Sequence, residues 1–146
     1  MRTFEDFRVG EVMTLGPVEI TAADIRSFAE RFDPEDPGGD PERDRAASGL
    51  HAACLHMRLF ADSILRDSAS MGSPGVEEVR FLAPVRAGDR LILRIEVVSA
   101  RPSRSRPEMG LVVMRSVMVN ADAVPVLEMT ATLIAGRREG GAEAGR

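Results

Sequence analysis

The second half of the chain is dominated by period-two alternation. Leu91, Leu93, Ile95 and Val97 alternate with residues that include Arg94 and Glu96, which marks a strand with one face buried. After the polar connection "ARPSRSRPEMG" comes "LVVMRSVMVN", and past the turn "ADAVP" comes "VLEMTATLIA". These are three successive strands of about ten residues, ~30 Å long, joined so as to run antiparallel. A shorter strand at Val79 to Leu82 precedes them, separated by the turn "RAGDR". Near the start, "EVMTLGPVEI" mixes β-favouring and turn residues and predicts a first strand interrupted near Gly16 and Pro17.

Between these strands the period changes. Ile25, Phe28, Ala29 and Phe32 fall at helical spacing behind Thr21 and Asp24, a variant of the capping box, and predict a short helix with one buried face. Pro34 disfavours helical geometry at the residue before it, so the chain leaves this helix at about Asp33. From Ser48, a candidate N-cap, "SGLHAACLHMRLFADSILRD" predicts a helix of roughly 18 to 20 residues, ~27 to 30 Å long. Leu50, Ala53, Cys54, Met57, Phe60, Ala61 and Ile64 cover much of its circumference, so it is expected to be central and packed on more than one side. Ser68 to Gly75, "SASMGSPG", is a loop by composition.

One long helix and an antiparallel sheet of matching length define an α+β architecture, a curved sheet wrapped along a central helix, which is the hotdog fold. Such a sheet leaves open edges, and dimerisation is the expected remedy. Residues 1–138 are expected to form one domain, since 146 residues suffice for a single core, and 139–146 a disordered tail.

Charge narrows the partners. The chain has 19 basic and 23 acidic residues, and every basic one is arginine, so a lysine Schiff base is excluded and a nonspecific nucleic-acid surface is not expected. The acids within the first six residues argue against a signal peptide, and the apolar stretch Leu50 to Leu65 is interrupted by His51, His56, Arg58 and Asp62, against a membrane span. A cytoplasmic location is expected. The single cysteine, Cys54, permits no intrachain disulfide and lies among apolar neighbours, where a buried core thiol is expected. No His/Cys/Asp/Glu cluster has metal-ligand spacing, and neither a phosphate-binding glycine loop nor a serine nucleophile elbow is present.

With these elements in place, the chain resembles the MaoC-like family, the (R)-specific enoyl-CoA hydratases and related acyl dehydratases. The resemblance is carried by "FEDFRVGEV", "FAERFDP", "SGLHAACLHMRLF", "VEEVRFLAPVRAGDRL" and "RPSRSRPEMGLV", in that order. It implies a homodimer acting on acyl-CoA or acyl-carrier thioesters, with coenzyme A only as part of the substrate and no other cofactor. In that family an Asp at the exit of the short helix and a His five positions later hold one water over the double bond of an enoyl thioester. The Asp corresponds to Asp33, but the position of the His is occupied by Gly38, and no histidine occurs from Asp33 through Ala47.

Ser48, Gly49 and Leu50 begin the central helix, where free N–H groups and the helix dipole can hold a thioester oxygen as it gains charge. The resemblance assigns that part to the Gly49 amide. His51, in the first helical turn, is a candidate substitute for the lost histidine, and the reading set ahead of that is a structural histidine bonded to a loop carbonyl. His56 falls 140° around the helix from His51 by the 100° step and is expected in the core or an interface. Asp36 and Asp40 read as solvated. Arg58 and Asp62 are spaced to pair with each other, and Arg101, Arg104 and Arg106 are candidates to meet the phosphates of a carrier arm. Three functions follow: hydration of a trans-2-enoyl thioester, impaired by the loss of the loop His; hydrolysis of a thioester by one carboxylate; or a noncatalytic subunit that pairs with an active paralogue.

Overall fold

The computed structural model describes residues 1–33 and 46–138. Gly38, Asp36, Asp40 and the tail 139–146 lie outside the described residues. A 3-10 turn at Phe4–Asp6 leads into β1 (Val12–Glu19) and then α1 (Ala22–Phe32). The central helix α2 (Gly49–Phe60) is extended by a π-helical turn, Ala61–Leu65. Four strands follow: β2 (Val76–Phe81), β3 (Arg90–Pro102), β4 (Met109–Val119) and β5 (Pro125–Gly136).

The five strands form one antiparallel sheet in the order β1-β3-β4-β5-β2, with α2 packed along its inner face. This is the hotdog fold. The alternation in β3 is realised in full: Leu91, Leu93, Ile95 and Val97 are completely buried, and the residues between them are exposed. Val112, Met114 and Met118 from β4 and Leu127, Met129 and Leu133 from β5 complete the same core layer. The twelve residues of α2 and five of the π turn span ~26 Å, which matches the sheet they cross.

Both predicted helix starts are present. The Thr21 hydroxyl accepts from Asp24 N–H at 3.1 Å while Asp24 accepts from Thr21 N–H at 3.4 Å, and Ser48 Oγ accepts from Leu50 N–H at 3.2 Å. Arg58 reaches Asp62 at 2.8 Å, and Arg66 binds the same carboxylate from the other side.

Two expectations require correction. Cys54 is exposed, not buried. It lies with Leu50 and Met57 on a helical stripe opposite Ala52 and His56, which face the sheet, so within one chain α2 keeps one apolar side open. The strand expected from Val79 begins earlier, at Val76, and is exposed along its whole length. It lies at the edge of the sheet, flanked by β5 alone.

The register defines two ends of the molecule. At one lie the start of α2, Phe81, Val85 and the β4–β5 turn; at the other lie the β3–β4 turn, Gly110 and Gly136. The chemistry is to be sought at the first.

Candidate active site

A cavity of about 340 Å³ opens where α2 begins. Ala47, Ser48, Gly49 and Ala52 form one wall, and Phe81 to Val85, with Val126, form the other. Apart from the Ser48 hydroxyl these side chains are apolar, so the cavity suits a hydrocarbon or thioester better than a charged ligand. Gly49 lines it. A Cβ there would lie 2.6 Å from the Phe81 ring, so the close approach of strand end and helix start requires glycine. Among the described residues nothing accepts a hydrogen bond from Gly49 N–H, as expected at the first position of a helix, where the amide has no partner within the helix itself.

Asp33 ends α1. Its N–H donates to Ala29 O at 2.9 Å and its side chain is half-buried. Five residues earlier on the same helix, Phe28 stacks on His51 with ring centroids 4.6 Å apart and planes within 6°. Phe28 also leans on Phe32 at 5.1 Å. This aromatic contact joins the helix that ends at Asp33 to the first turn of α2, one residue past Leu50. No hydrogen bond connects Asp33 with His51 among the described residues.

His51 is 7 % exposed and its Nδ1 has no hydrogen-bond partner among the described residues. Burial pushes its pKa below the ordinary histidine value and so favours the neutral ring, while the attraction of Asp24 opposes that shift. His56 faces the sheet instead, 6 % exposed, with Nε2 unpartnered among the described residues and its pKa lowered by burial to about 4. The two histidines therefore point away from each other, as their 140° separation requires.

The arginine-rich segment is not brought to the cavity of its own chain. Arg106 pairs with Glu108 at 2.7 Å at the β3–β4 turn, at the far end of the sheet. Conversely, Phe81 and the segment to Val85 line the cavity but had no functional reading in the sequence. Their one signal was Gly49, since a glycine opening an apolar helix implies that something approaches its Cα closely. Among the described residues no group of His, Cys, Asp and Glu side chains is arranged to hold a metal ion, and no helix is long and apolar enough to cross a membrane.

A hotdog sheet with a cavity at the N-terminus of its central helix defines the class. The comparisons refine it. The chain is 32% identical to the MaoC-like dehydratase from Rhodospirillum rubrum, whose crystal structure superposes with a TM-score of 0.84 over 94% of this chain and 99% of that one. The R-hydratase PhaJ1 from Pseudomonas aeruginosa shares the fold at 19% identity, with a TM-score of 0.66 over 93% of this chain and 86% of its own. An uncharacterized protein, YdeM, from Bacillus subtilis is 24% identical over 131 residues, 85% of this chain and 92% of that protein. No family model matches. The chain belongs to the MaoC-like dehydratase family, a hydratase/dehydratase family of the hotdog fold.

Proposed function

We propose that this protein catalyses the reversible hydration of a trans-2-enoyl thioester as a homodimer, with coenzyme A or an acyl carrier as the thiol portion of the substrate. The observation that carries the reading is the apolar cavity around Gly49, which presents a helix N-terminus to a buried thioester oxygen. In the hydration direction, Asp33 takes a proton from water as the water oxygen bonds to C3. The C2–C3 π electrons move toward the thioester oxygen, where Gly49 N–H and the helix dipole stabilise the developing charge. Collapse of the enolate then takes a proton at C2, which the protonated Asp33 carboxyl returns, regenerating its carboxylate. Atoms balance with no cofactor. Ser48 fixes the helix start through its cap bond, in which its Oγ accepts from Leu50 N–H, so Leu50 takes part by holding the first turn in place.

The reading is tested by the loss of conjugated enoyl absorbance of a short trans-2-enoyl-CoA. Turnover that Asp33→Asn lowers by a hundredfold or more, on the order of a lost general base, supports it; turnover unchanged by Asp33→Asn refutes the assignment. A second reading, thioester hydrolysis, is favoured by the absence of any histidine from Asp33 through Ala47, where the resemblance to the family would put its second catalytic group at Gly38. One carboxylate activating water against the carbonyl would suffice for that reaction. Release of free thiol from saturated acyl-CoA distinguishes it.

A further inference from the structure

The helix that carries Asp33 is lightly anchored. Ile25 is the one residue of α1 buried in the core. Among the described residues no hydrogen bond joins 25–33 to another element, since the Ile25 and Asp33 amides donate to Thr21 and Ala29 of the same segment. The last turns before Asp33 therefore rest on side-chain packing. Phe28 lies about one turn past Ile25 on the same face, and its ring meets His51 at 4.6 Å with the planes 6° apart, within the separation at which aromatic rings attract. Phe32 leans on Phe28 at 5.1 Å but is itself 63 % exposed, so it adds little anchorage.

The stack links two groups of the site. On α1, Phe28 stands five residues before Asp33, ~7.5 Å along a helix axis. On α2, His51 stands two residues after Gly49, in the same turn. A helix is stiff over such lengths, so the ring contact sets where the Asp33 end of α1 stands relative to the Gly49 amide. The face of the imidazole makes this contact, not a nitrogen. Its Nδ1 is buried with no partner among the described residues, which leaves that atom no route to receive or deliver a proton.

We infer that His51 is a positioning residue of the catalytic site, whose ring, stacked on Phe28, holds the Asp33 carboxylate in register with the Gly49 amide. This role rests on the reading of Asp33 as the base, and it serves hydration and hydrolysis alike, since both use that carboxylate. It assigns His51 no proton transfer, so an apolar ring of similar shape can replace the imidazole.

The stack itself is tested without substrate. The chain has two histidines, so the imidazole C–H resonances of the tag-free protein fall into two sets, assigned by His51→Phe and His56→Leu. Protons over an aromatic face are shifted upfield; the His51 set should show that shift and lose it in Phe28→Leu, with the His56 set unmoved. In turnover of a trans-2-enoyl-CoA, or in thiol release if that is the reaction, His51→Ala and Phe28→Leu should each lower kcat by about tenfold to a hundredfold, the order of a displaced catalytic group, while KM stays close to native. His51→Phe keeps the stack, leaves no buried nitrogen unpaired, and should retain most of the native kcat. Combining His51→Ala with Phe28→Leu should be no slower than the slower single variant, because one contact is lost only once. Far-ultraviolet circular dichroism checks that each variant is folded; if His51→Ala is not, Phe28→Leu and His51→Phe decide. A His51 set without the upfield shift, His51→Phe as slow as Phe28→Leu, losses that multiply in the double variant, or a loss confined to KM would each overturn the inference. Turnover unchanged by Asp33→Asn refutes the catalytic reading and the positioning role together, whereas turnover that needs Asp33 but is indifferent to the stack refutes the positioning role alone.

Discussion

His56 supplies the sharpest stability test, because its cost is independent of substrate. The ring is 6 % exposed, its Nε2 has no partner among the described residues, and burial lowers its pKa from 6.5 to about 4. In the unfolded chain the same ring titrates near the ordinary value. Between pH 6.5 and about 4 the unfolded state thus binds more protons than the folded state, so stability falls as pH falls through that window and is complete above it. The whole gap corresponds to about 3 kcal/mol, and by pH 5 about 2 kcal/mol of it is lost. His56→Leu removes both the titration and the unpartnered nitrogen. With no Trp or Tyr in the chain, urea unfolding is followed by far-ultraviolet circular dichroism at one fixed protein concentration, at pH 7.5 and pH 5. The native protein should lose about 2 kcal/mol more than His56→Leu between the two. His51 and the carboxylates titrate in both proteins and cancel in the comparison. Equal losses would refute the argument that His56 is held neutral by desolvation.

Two further substitutions probe close approaches to glycine. Gly49→Ala places a methyl 2.6 Å from the Phe81 ring, so the ring must leave the helix start; turnover should fall while the far-ultraviolet spectrum is kept, and Phe81→Ala added to it should restore part of the loss. At the other end, a Cβ on Gly110 would overlap the Phe4 ring, and Gly110→Ala should cost roughly 1 to 3 kcal/mol by urea unfolding, as overpacking does. The same substitution in a Phe4→Ala background should cost less; an equal cost in both would remove Phe4 as the cause.

The fold was legible because its signals are local and mutually consistent. Period-two apolar runs required a sheet, Thr21 and Ser48 marked the helix starts by capping chemistry, and the length of α2 matched the strands beneath it. Cys54 was misjudged for a physical reason: apolar residues around a helix show that it must be covered, not what covers it, and Leu50, Cys54 and Met57 face outward in a single chain. The site was legible only where residue type restricts geometry. Gly49 and Asp33 stand at helix ends that the sequence marks, whereas the stacking of His51 on Phe28 and the approach of Phe81 to Gly49 join residues 23 to 32 positions apart, which no local pattern encodes.

The far end of the molecule has a practical counterpart to the cavity. There the Arg138 N–H donates to Glu5 at 2.9 Å, the Arg138 guanidinium meets Asp6 at 2.9 Å, and Arg137 reaches Glu5 at 3.4 Å, so the first residues and the last strand are clasped side by side. An attachment made at Glu5, Asp6 or Arg138 lies at the opposite end of the sheet from the mouth beside Gly49. Immobilised protein should present its cavity outward and give substrate the access it has in free solution.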